Sequence, residues 1–355
     1  MNNKNLKILI INNGYPSQNN PQYSTYIKTI RECLQDAGLS TDLLVLDTNF
    51  KSKRGKVLRY LVFYFQLLFH RYKGYDIVYI HNYPYVFMPL IFRFESMKDI
   101  VIHWHGTDIF APSRISRVLN NVSYFFIPRG TKHITPSGYF ADQVSERLKI
   151  NRNGIFVSPS GGVDTDLFFP VEKQRGDTVI LGFASSMKTD KGMDFVLELV
   201  ENSYEIEEVC GKKIKIHCIE YGAEKEFYKE RLLKFNNVKL YEPFPKERMV
   251  KFYHEIDILL LTTRMAESLA LVGLEAMSCN VPVIGTNDFA IKEYVISGVS
   301  GEKFRKGDFV DFQRAVINAI KNLPNYKPRN IVLDNYSKKS VTKQYNKYFA
   351  NKGER

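Results

Sequence analysis

Short apolar runs alternate with helical patterns along the whole 355-residue chain. The runs predict strands at residues 7–12, 41–46, 76–81, 100–105, 133–135, 178–184, 215–220, 238–240, 258–261 and 281–285. Helical patterns cover residues 24–37, 193–200, 224–233, 246–254, 271–278 and 309–320. Strands separated by helix-length segments are typical of a parallel sheet with crossover helices. The chain is therefore predicted to be an α/β protein.

The alternation appears twice, and the chain is too long for one ordinary core, since domains commonly hold ~100–200 residues. A proline and a polar run at residues 168–177 mark the predicted joint. We expect an N-terminal domain of residues 1–167, rejoined by a C-terminal helix at 336–355, and a C-terminal domain of residues 168–335. We expect both domains to be doubly wound and Rossmann-like and to face each other across a cleft. Open α/β sheets bind ligands at the carboxyl ends of their strands, so the cleft would lie at those ends of both sheets.

Composition excludes a disordered or fibrous chain, since 44% of residues are hydrophobic and 25% are charged. The net charge of +12 is unevenly distributed. Residues 1–165 contain 20 Lys and Arg against 11 Asp and Glu, whereas residues 166–355 contain 30 against 27. A basic first half indicates an anionic partner: nucleic acid, a membrane surface or a phosphate-bearing substrate.

The spacing of the cysteines and the length of the most apolar run indicate the cellular compartment in which the protein is expected. The four cysteines lie far apart without a C-x-x-C pair, which disfavours a disulfide framework or structural zinc and favours a reducing compartment. The most apolar run, residues 60–69, falls short of the ~20 residues that span a bilayer as a helix. We expect a cytoplasmic protein without a transmembrane segment, with peripheral attachment to the inner face of the cytoplasmic membrane left open.

Two glutamates stand eight positions apart around a predicted helix start. Glu267 follows the strand at 258–261, and Glu275 lies in the first turns of the helix beginning near Leu271. A helix N-terminus presents unpaired backbone N–H groups to anions, and ionised carboxylates accept hydroxyl donors. This pattern favours a ligand that carries both phosphate and hydroxyl groups. The alternative is a solvated helix face with a glutamate near its N-terminal dipole.

This region resembles the E-x7-E motif of retaining GT-B glycosyltransferases, of the group 1 or family 4 kind that act in bacterial polysaccharide or glycolipid biosynthesis. Further matches follow in the family's order over most of the chain. They are the opening KILIINNGYPS at 7–17, HWHGTD at 103–108, SPSGGVD at 158–164, Lys191-Gly192, and residues 267–282.

The resemblance implies a metal-independent, retaining, hexosyltransferase-type enzyme without a cofactor. It would move a sugar from a nucleotide-sugar donor to a hydroxyl of a glycan or lipid-linked acceptor, such as a polysaccharide precursor. Two alternatives stay open: a nucleotide-sugar epimerase of the same fold, and a catalytically inactive, glycosyltransferase-like subunit that recruits a partner to a membrane.

Roles of individual residues follow from the same resemblance. Glu275 would accept ribose hydroxyls, Glu267 would orient the donor sugar, and Lys191 would neutralise the leaving diphosphate. Without the resemblance, Lys191 would be an ordinary lysine at a helix start. The implied donor-binding set is Gly14, Ser186, Lys188, Lys191, Gly222, Phe244, Glu267, Ser268, Leu269, Ala270, Leu271, Val272 and Glu275. The implied catalytic residues are His105, Lys191 and Glu267.

The sequence departs from the family pattern at three donor positions. Ser186 stands where an arginine is usual, and Lys188 is the expected substitute. Ser268 and Ala270 replace the usual glycines, and their Cβ atoms limit how closely a ligand can approach the backbone. These changes bear on donor geometry.

The run HWHGTD supplies the expected acceptor-side residues, His105 and Asp108. Strand alternation places His103 and His105 on one face, with His105 toward the cleft and His103 in packing. Asp108 either orients a neighbour or assists the acceptor hydroxyl. Zinc is disfavoured, because no cysteine, carboxylate or third histidine stands at metal spacing. Asp164 and Asp166 imitate a metal motif but are interpreted as structural, so no metal site is predicted.

A basic and aromatic segment covers residues 51–74, with seven Lys and Arg, six aromatic residues and no acid. One interpretation is a helix in the interface of an anionic membrane. Its membrane-facing cations would be Lys51, Lys53, Arg54, Lys56 and Arg59. The alternative is a buried helix with a solvated basic start. Nucleic acid is disfavoured, because the aromatic residues are bunched and no nucleic-acid-binding motif is present.

Overall fold

The structure is a computed structural model that describes residues 6–20, 23–49, 52–173 and 176–350. It divides into two compact units, Met1–Gly162 with Lys338–Arg355, and Val163–Ser337. The sequence placed these boundaries at residues 167 and 335. Within the described part of the chain, none of the helices is long and apolar enough to cross a membrane.

The first unit contains a six-stranded parallel sheet in the order β2-β1-β3-β4-β5-β6. Its elements are β1 (Lys7–Asn12), α1 (Thr25–Asp36), β2 (Ser40–Val45), α2 (Lys53–Phe69), β3 (Ile77–His81), α3 (Phe87–Leu90), β4 (Ile100–His103), α4 (Arg114–Phe125), β5 (Lys132–Thr135), α5 (Gly138–Leu148) and β6 (Ile155–Val157).

Both faces of this sheet are covered by core. Leu9 and Ile11 pack into the cluster on one face, and Ile8 and Ile10 into the cluster on the other. All four side chains are fully buried. A strand that is apolar at every position is typical of a parallel sheet with helices on both sides. The order places β1 between β2 and β3, so the loops after β1 and β3 diverge at the switch point of the sheet.

The second unit also holds a six-stranded parallel sheet, in the order β12-β11-β10-β7-β8-β9. Its elements are β7 (Thr178–Phe183), α6 (Met193–Glu201), α7 (Ser203–Cys210), β8 (Lys213–Ile219), α8 (Lys225–Leu232), β9 (Val238–Tyr241), α9 (Lys246–Glu255), β10 (Ile258–Leu261), α10 (Leu271–Ser278), β11 (Val283–Thr286), α11 (Ile291–Tyr294), β12 (Gly301–Phe304), α12 (Phe309–Asn322) and α13 (Pro328–Ile331).

The order of the second sheet is that of a Rossmann-like fold. The strand β7 lies between β8 and β10, so the chain reverses its direction of winding next to β7. Ligand-binding loops of such sheets follow the strands at this point. Here these loops contain Lys191, which follows β7, and Glu267, which follows β10.

The last described helix, α14 (Lys338–Ala350), belongs to the first unit. Val341, Tyr345 and Phe349 are fully buried in the core cluster that also holds Ile27 and Ile30 of α1. Lys338 adds an ion pair with Glu32, 2.9 Å between Nζ and Oε2. Apolar burial therefore attaches the chain's last described helix to the unit in which the chain began.

The predicted strands are present, two of them with the predicted bounds and the others with ends shifted by one or two residues. The strand predicted at residues 100–105 ends at His103, so the prediction was wrong for its last two residues. The prediction also missed β6 and β12, which hold three and four residues. Runs this short carry little periodicity, and sheet partners from elsewhere in the chain stabilise them.

Candidate functional site

The turn after β7 that carries Lys191 contains Gly192, a position that has no room for a side chain. Gly192 has φ 77°, and a Cβ there would lie 2.2 Å from the carbonyl oxygen of Thr262. The Thr262 hydroxyl donates to the carbonyls of Lys191 at 3.1 Å and Gly192 at 3.0 Å. Thr262, which directly follows β10, therefore clamps the backbone that carries the lysine. No local sequence pattern marks this threonine.

The side chains of Lys191 and Glu267 form an ion pair. They come from the loops after β7 and β10, and they are 22% and 20% exposed. Each charge is thus partly withdrawn from water but reachable from it. A phosphate that approached Lys191 would compete with the Glu267 carboxylate, because both anions suit the same ammonium group.

The backbone around Glu267 is held on both sides. The N–H of Ala290 donates to the Glu267 carbonyl at 3.3 Å. The Tyr294 hydroxyl donates to the Ala270 carbonyl at 3.2 Å. Between them Leu269 is buried, with 3% of its surface exposed. The loop therefore enters α10 in a defined path, with Ser268 half-buried beside it.

Helix α10 begins from a left-handed residue. Ala270 has φ 58° and ψ 69°, a conformation that favours glycine. Leu271 and Val272 form the first turn and are half-buried. The first N–H groups of a helix lack intrahelical acceptors, so this turn offers donors to an anion. Alanine adopts this conformation at a cost in strain.

Glu275 lies inside the second unit, with 6% of its surface exposed. The Tyr253 hydroxyl donates to its Oε2 at 3.2 Å. Burial, and next the Glu275 charge, raise the pKa of Tyr253 well above its usual range, so the phenol stays a donor. The two glutamates thus differ: Glu267 is held by a cation, and Glu275 by a neutral hydroxyl.

The loops after β7 and β8 contact each other. Gly222 has φ 120°, and a Cβ there would lie 2.8 Å from the backbone nitrogen of Met187 and 3.0 Å from Ser186. The Met187 N–H donates to the Tyr221 carbonyl at 2.6 Å. Ser186 and Gly222, both predicted donor residues, are therefore neighbours.

Lys188 and Phe244 have different surroundings. Among the described residues, Lys188 has no ion-pair partner, and its charge lies close enough to Glu224 to act on that carboxylate. Phe244 follows β9, and its ring packs at 6.4 Å from Tyr241 and 6.5 Å from Phe252. Phe244 thus belongs to an aromatic cluster with Tyr241 and Phe252.

Arg264 is a further residue that the sequence analysis missed. Its guanidinium makes two bonds to the Asp194 carboxylate, at 2.9 and 2.6 Å, and one to the Thr189 carbonyl at 3.0 Å. These bonds tie the loop after β10 to the turn that carries Lys191. Arg264 therefore supports the turn and does not replace the arginine missing at Ser186. The two partners lie 70 residues apart, so no local pattern marks them.

In the first unit, His105 joins a stack of aromatic rings beyond the end of β4. Its ring centroid lies 4.3 Å from His103, 5.1 Å from His81 and 4.5 Å from Tyr26. Its Nε2 is 2.8 Å from Nδ1 of His81. Burial lowers the pKa of His105 to about 3 and holds the pKa values of His81 and His103 well below the usual range. All three rings are neutral near pH 7.

Asp108 is directed onto the backbone. Its carboxylate accepts the N–H groups of His105, at 2.9 Å, and Gly106, at 2.7 Å. Asp108 is fully buried, and burial raises its pKa to about 6 although these bonds oppose the shift. Of the two roles expected from the sequence, this geometry favours orienting a neighbour, which here is the turn that carries His105.

His81 corrects one step of the sequence analysis, which found no third histidine at metal spacing. Among the described residues, His81, His103 and His105 are the group that brings three ligand atoms within 4.8 Å of one another. The His105 ring lies at 19° to His81 and 25° to His103, and the latter two rings are tilted by 36° to each other. A tetrahedral metal needs in-plane lone pairs that converge on one point, whereas Nδ1 of His81 and Nε2 of His105 are hydrogen-bonded to each other. Asp164, the other metal candidate, accepts the N–H groups of Asp166 and Leu167 at 3.1 Å each and so caps a turn.

Gly14 follows β1 in the first unit. A Cβ there would lie 2.0 Å from the ring of Tyr23, so the glycine allows this ring to pack on the loop. Nearby, the Asn82 amide donates to Oδ1 of Asn12 and to the Tyr26 hydroxyl, each at 2.8 Å. Asn82 thereby connects the loop after β3 to the ring that contacts His105.

The basic and aromatic segment forms α2, apart from Lys51, which lies outside the described residues. Phe63 and Leu67 are buried, whereas Leu61 and Phe65 are 62% and 64% exposed. The alternative of a buried helix was therefore wrong for the outer face of α2. Of the predicted membrane-facing cations, Arg54 and Lys56 are exposed and Arg59 forms an ion pair with Asp47.

Two Rossmann-like units, the second with a lysine–glutamate pair beside a helix N-terminus, are the features of a GT-B glycosyltransferase. Residues 164–339 match the family model for glycosyl transferases group 1, and residues 24–167 match that for glycosyltransferase family 4. The chain therefore belongs to the group 1 and family 4 glycosyltransferases.

Known proteins resemble the chain in sequence or in fold. The lipopolysaccharide 1,2-N-acetylglucosaminetransferase of Salmonella typhimurium is 20% identical over 299 residues, which are 78% of this chain and 73% of that protein. HepE of Anabaena, solved with UDP and glucose, has a TM-score of 0.68 at 15% identity, covering 98% of this chain and 100% of its own. Sucrose-phosphate synthase from Thermosynechococcus elongatus has a TM-score of 0.71 at 14% identity, covering 98% of each chain.

Proposed function

We propose that this glycosyltransferase transfers a hexose from a UDP-sugar to a glycan or lipid-linked acceptor, with retention at the anomeric carbon and without an obligatory metal. The observation that carries the proposal is the Lys191–Glu267 ion pair beside the first turn of α10. A nucleoside diphosphate needs a cation and N–H donors, and its sugar needs hydroxyl acceptors. The second unit supplies all three. The complex of HepE with UDP and glucose supports the choice of donor.

Donor binding would divide the ion pair between two ligand groups. The diphosphate takes Lys191, with Lys188 and the first N–H groups of α10 as further donors. Glu267, released from the lysine, then accepts hydroxyls of the donor sugar. Glu275 accepts ribose hydroxyls at the buried end of the site, where Tyr253 holds it in place.

The reaction breaks the bond between the anomeric carbon and the diphosphate oxygen and forms a bond from that carbon to the acceptor oxygen. The acceptor proton passes to the departing phosphate oxygen on the same face of the sugar, which gives retention. Lys191 stabilises the negative charge that develops on the diphosphate, and such preorganised stabilisation is the largest contribution in many enzymes. Neutral His105 serves as a hydrogen-bonding partner for a sugar or acceptor hydroxyl, because its low pKa excludes an imidazolium near pH 7.

A donor-hydrolysis screen with UDP-sugars tests this function, with UDP affinity measured by calorimetry in the presence of EDTA. We expect UDP to bind without metal and Lys191→Ala to weaken it by about 100-fold, as loss of a charged, partly buried contact does. The matched control is Lys251→Ala, an exposed lysine of α9 in the same unit. Equal UDP affinity in both variants would contradict the assignment.

Product analysis separates the remaining alternatives. A transferase gives an α-linked product from an α-linked donor only when acceptor is present, as NMR of the anomeric proton shows. An epimerase changes the donor sugar without acceptor. An inactive recruiting subunit gives neither product and has no need to bind UDP.

A further inference from the structure

Helix α4 of the first unit buries three polar side chains and exposes four apolar ones. Ser116, Asn120 and Ser123 face the protein, with at most 8% of their surface exposed. Ile115, Val118, Val122 and Phe125 lie on the outer side, where they are 83%, 63%, 42% and 88% exposed. A helix on a protein surface normally has the reverse arrangement, so this apolar stripe is evidence of an interaction surface.

Hydrogen bonds order α4 internally, and a bond from Asn120 ties it to a neighbouring segment. Ser113 and Ser116 form a reciprocal capping box at its start. The Asn120 amide donates to the Thr107 carbonyl at 2.9 Å, and the Ser123 hydroxyl donates to the Asn120 carbonyl at 2.7 Å. Rotation of the helix to bury its apolar stripe would break the Asn120 bond to Thr107. The fold therefore maintains the outward direction of the stripe.

The segment after β3 contacts both α4 and α2. The Tyr83 hydroxyl donates to the Phe126 carbonyl at 2.8 Å, and the ring of Phe87 stacks on Phe126 at 5.9 Å. On the other side, the Tyr64 hydroxyl of α2 donates to the Tyr85 carbonyl at 2.9 Å. Residues 83–92 thus lie between α2 and α4. We call the exposed apolar side chains of α2, of α4 and of this intervening segment the α2–α4 face.

Cations outnumber acids along the α2–α4 face, where Asp47 pairs with Arg59 of α2. Residues 48–75 and 109–141, which contain both helices, hold no Asp or Glu. Arg114, Arg117 and Arg129 are exposed, and none has an ion-pair partner among the described residues. Apolar side chains bordered mainly by cations match the interface of an anionic bilayer, where acyl chains lie beneath phosphate headgroups.

We propose that the α2–α4 face binds the surface of an anionic lipid bilayer, with Val118 and Phe125 of α4 entering the acyl boundary and Arg114 and Arg117 contacting lipid phosphates. The basic start of α2, marked by the sequence, is one edge of this surface. The two most exposed apolar side chains of this surface, Phe125 at 88% and Ile115 at 83%, lie on α4. That the surface serves a lipid-linked acceptor rests on the proposed function, whereas membrane binding itself does not.

Vesicle co-sedimentation of the full chain tests the proposal, with vesicles of phosphatidylcholine alone or mixed equally with phosphatidylglycerol. We expect binding to the mixed vesicles and little to phosphatidylcholine. Phe125→Ser should weaken binding about tenfold, since it removes one large apolar side chain from the interface. Replacing both Arg114 and Arg117 by Gln should weaken it by about 10- to 30-fold at low salt. The matched control Val310→Ser, 75% exposed on α12 of the second unit, should bind like the parent.

Two outcomes would overturn the proposal. One is equal binding to both kinds of vesicle, or binding that Phe125→Ser leaves unchanged. The other is a parent protein that ignores vesicles but dimerises in sedimentation velocity through Phe125, which would make the face an interface between copies of this chain. Circular dichroism checks that the variants fold.

UDP-sugar hydrolysis in the same preparations keeps the two proposals apart. Phe125→Ser should retain the hydrolysis rate of the parent while losing vesicle binding. A parent that binds vesicles but neither binds UDP nor hydrolyses UDP-sugars would refute the proposed function and leave the membrane surface standing.

Discussion

The two units have the same sheet architecture, yet the side chains at their strand ends are charged in one unit and neutral in the other. In the second unit, Lys191 and Glu267 form an ion pair that water can still reach. In the first, His81, His103 and His105 are stacked and neutral, because burial lowers their pKa values. A charged, partly solvated site suits a diphosphate, whereas a neutral, hydrogen-bonding site suits sugar hydroxyls. The difference in charge comes from the burial of the side chains and from their hydrogen-bond and ion-pair partners. The sheets do not account for it, since both sites lie at the carboxyl ends of parallel strands.

The largest expected effect comes from removing charge in the second unit. Glu267→Gln and Lys191→Met should each lower the transfer rate by about 100- to 1,000-fold, as loss of one preorganised electrostatic contact does. Initial rates with a UDP-sugar and acceptor measure this. The control is Glu247→Gln, an exposed glutamate of α9. If either variant kept at least half of the parent rate, the charge at that position would not be needed for transfer, and the proposed role of the charged site would be wrong.

A backbone change at the same site tests how rigidly the lysine is held. Gly192→Ala combines a left-handed φ with a Cβ 2.2 Å from the Thr262 carbonyl oxygen. We expect the free energy of unfolding to fall by about 3 kcal/mol, from backbone strain and overpacking together. Urea denaturation measures it. Gly211→Ala serves as the control, because it shares a positive φ but has no atom within 4 Å of the added Cβ. Equal losses in both variants would show that the Thr262 contact contributes nothing.

The neutral site predicts a loss of stability in acid. A histidine with a folded-state pKa below its ordinary value of 6.5 binds its proton mainly in the unfolded chain, so its contribution is complete above pH 6.5 and declines below it. For His105, with a pKa of about 3, the loss is about 2 kcal/mol at pH 5.

Asp108 opposes this trend. Its pKa of about 6 in the fold lies above the ordinary 3.8, so its carboxyl binds a proton preferentially in the folded state over that interval. Urea denaturation from pH 7.5 to 4.5 measures the sum, and His105→Gln should make the decline shallower. A free energy of unfolding that is independent of pH over this range would contradict a buried, neutral histidine stack.

The smallest expected effect concerns Ala270. Its left-handed conformation is strained for alanine, so Ala270→Gly should raise the free energy of unfolding by up to about 1 kcal/mol, the gain being reduced by the added freedom of glycine in the unfolded chain. The same change removes a Cβ from the donor loop. Thermal unfolding and UDP affinity measured together would show whether alanine alters donor binding. A lower melting temperature in the glycine variant would show that the strain is absent.

Much of the fold was predictable because its signals are local. The strand at residues 258–261 and the helix at 271–278 were predicted with the bounds that the structure has. Both combine continuous apolar character with clear ends. The positions of Glu267 and Glu275 relative to that strand and helix followed directly.

Other features depend on partners far away in the chain. Thr262 and Arg264 support the Lys191 turn from 70 residues away or more, and His81 reaches His105 from a different strand. The exposure of the apolar side of α4 also depends on distant partners. The amphipathic pattern of this helix does not indicate which of its sides is buried.

The sequence by itself determined two things: the repeated strand–helix alternation, and the glutamates on either side of a helix start. Both depend on local periodicity and on residue types that act within a few positions of one another. Tertiary structure decided which charges are paired, which histidines are neutral and which face of α4 meets solvent. These properties depend on burial and on distances between segments remote in the chain, and desolvation acts only once the fold has brought those segments together.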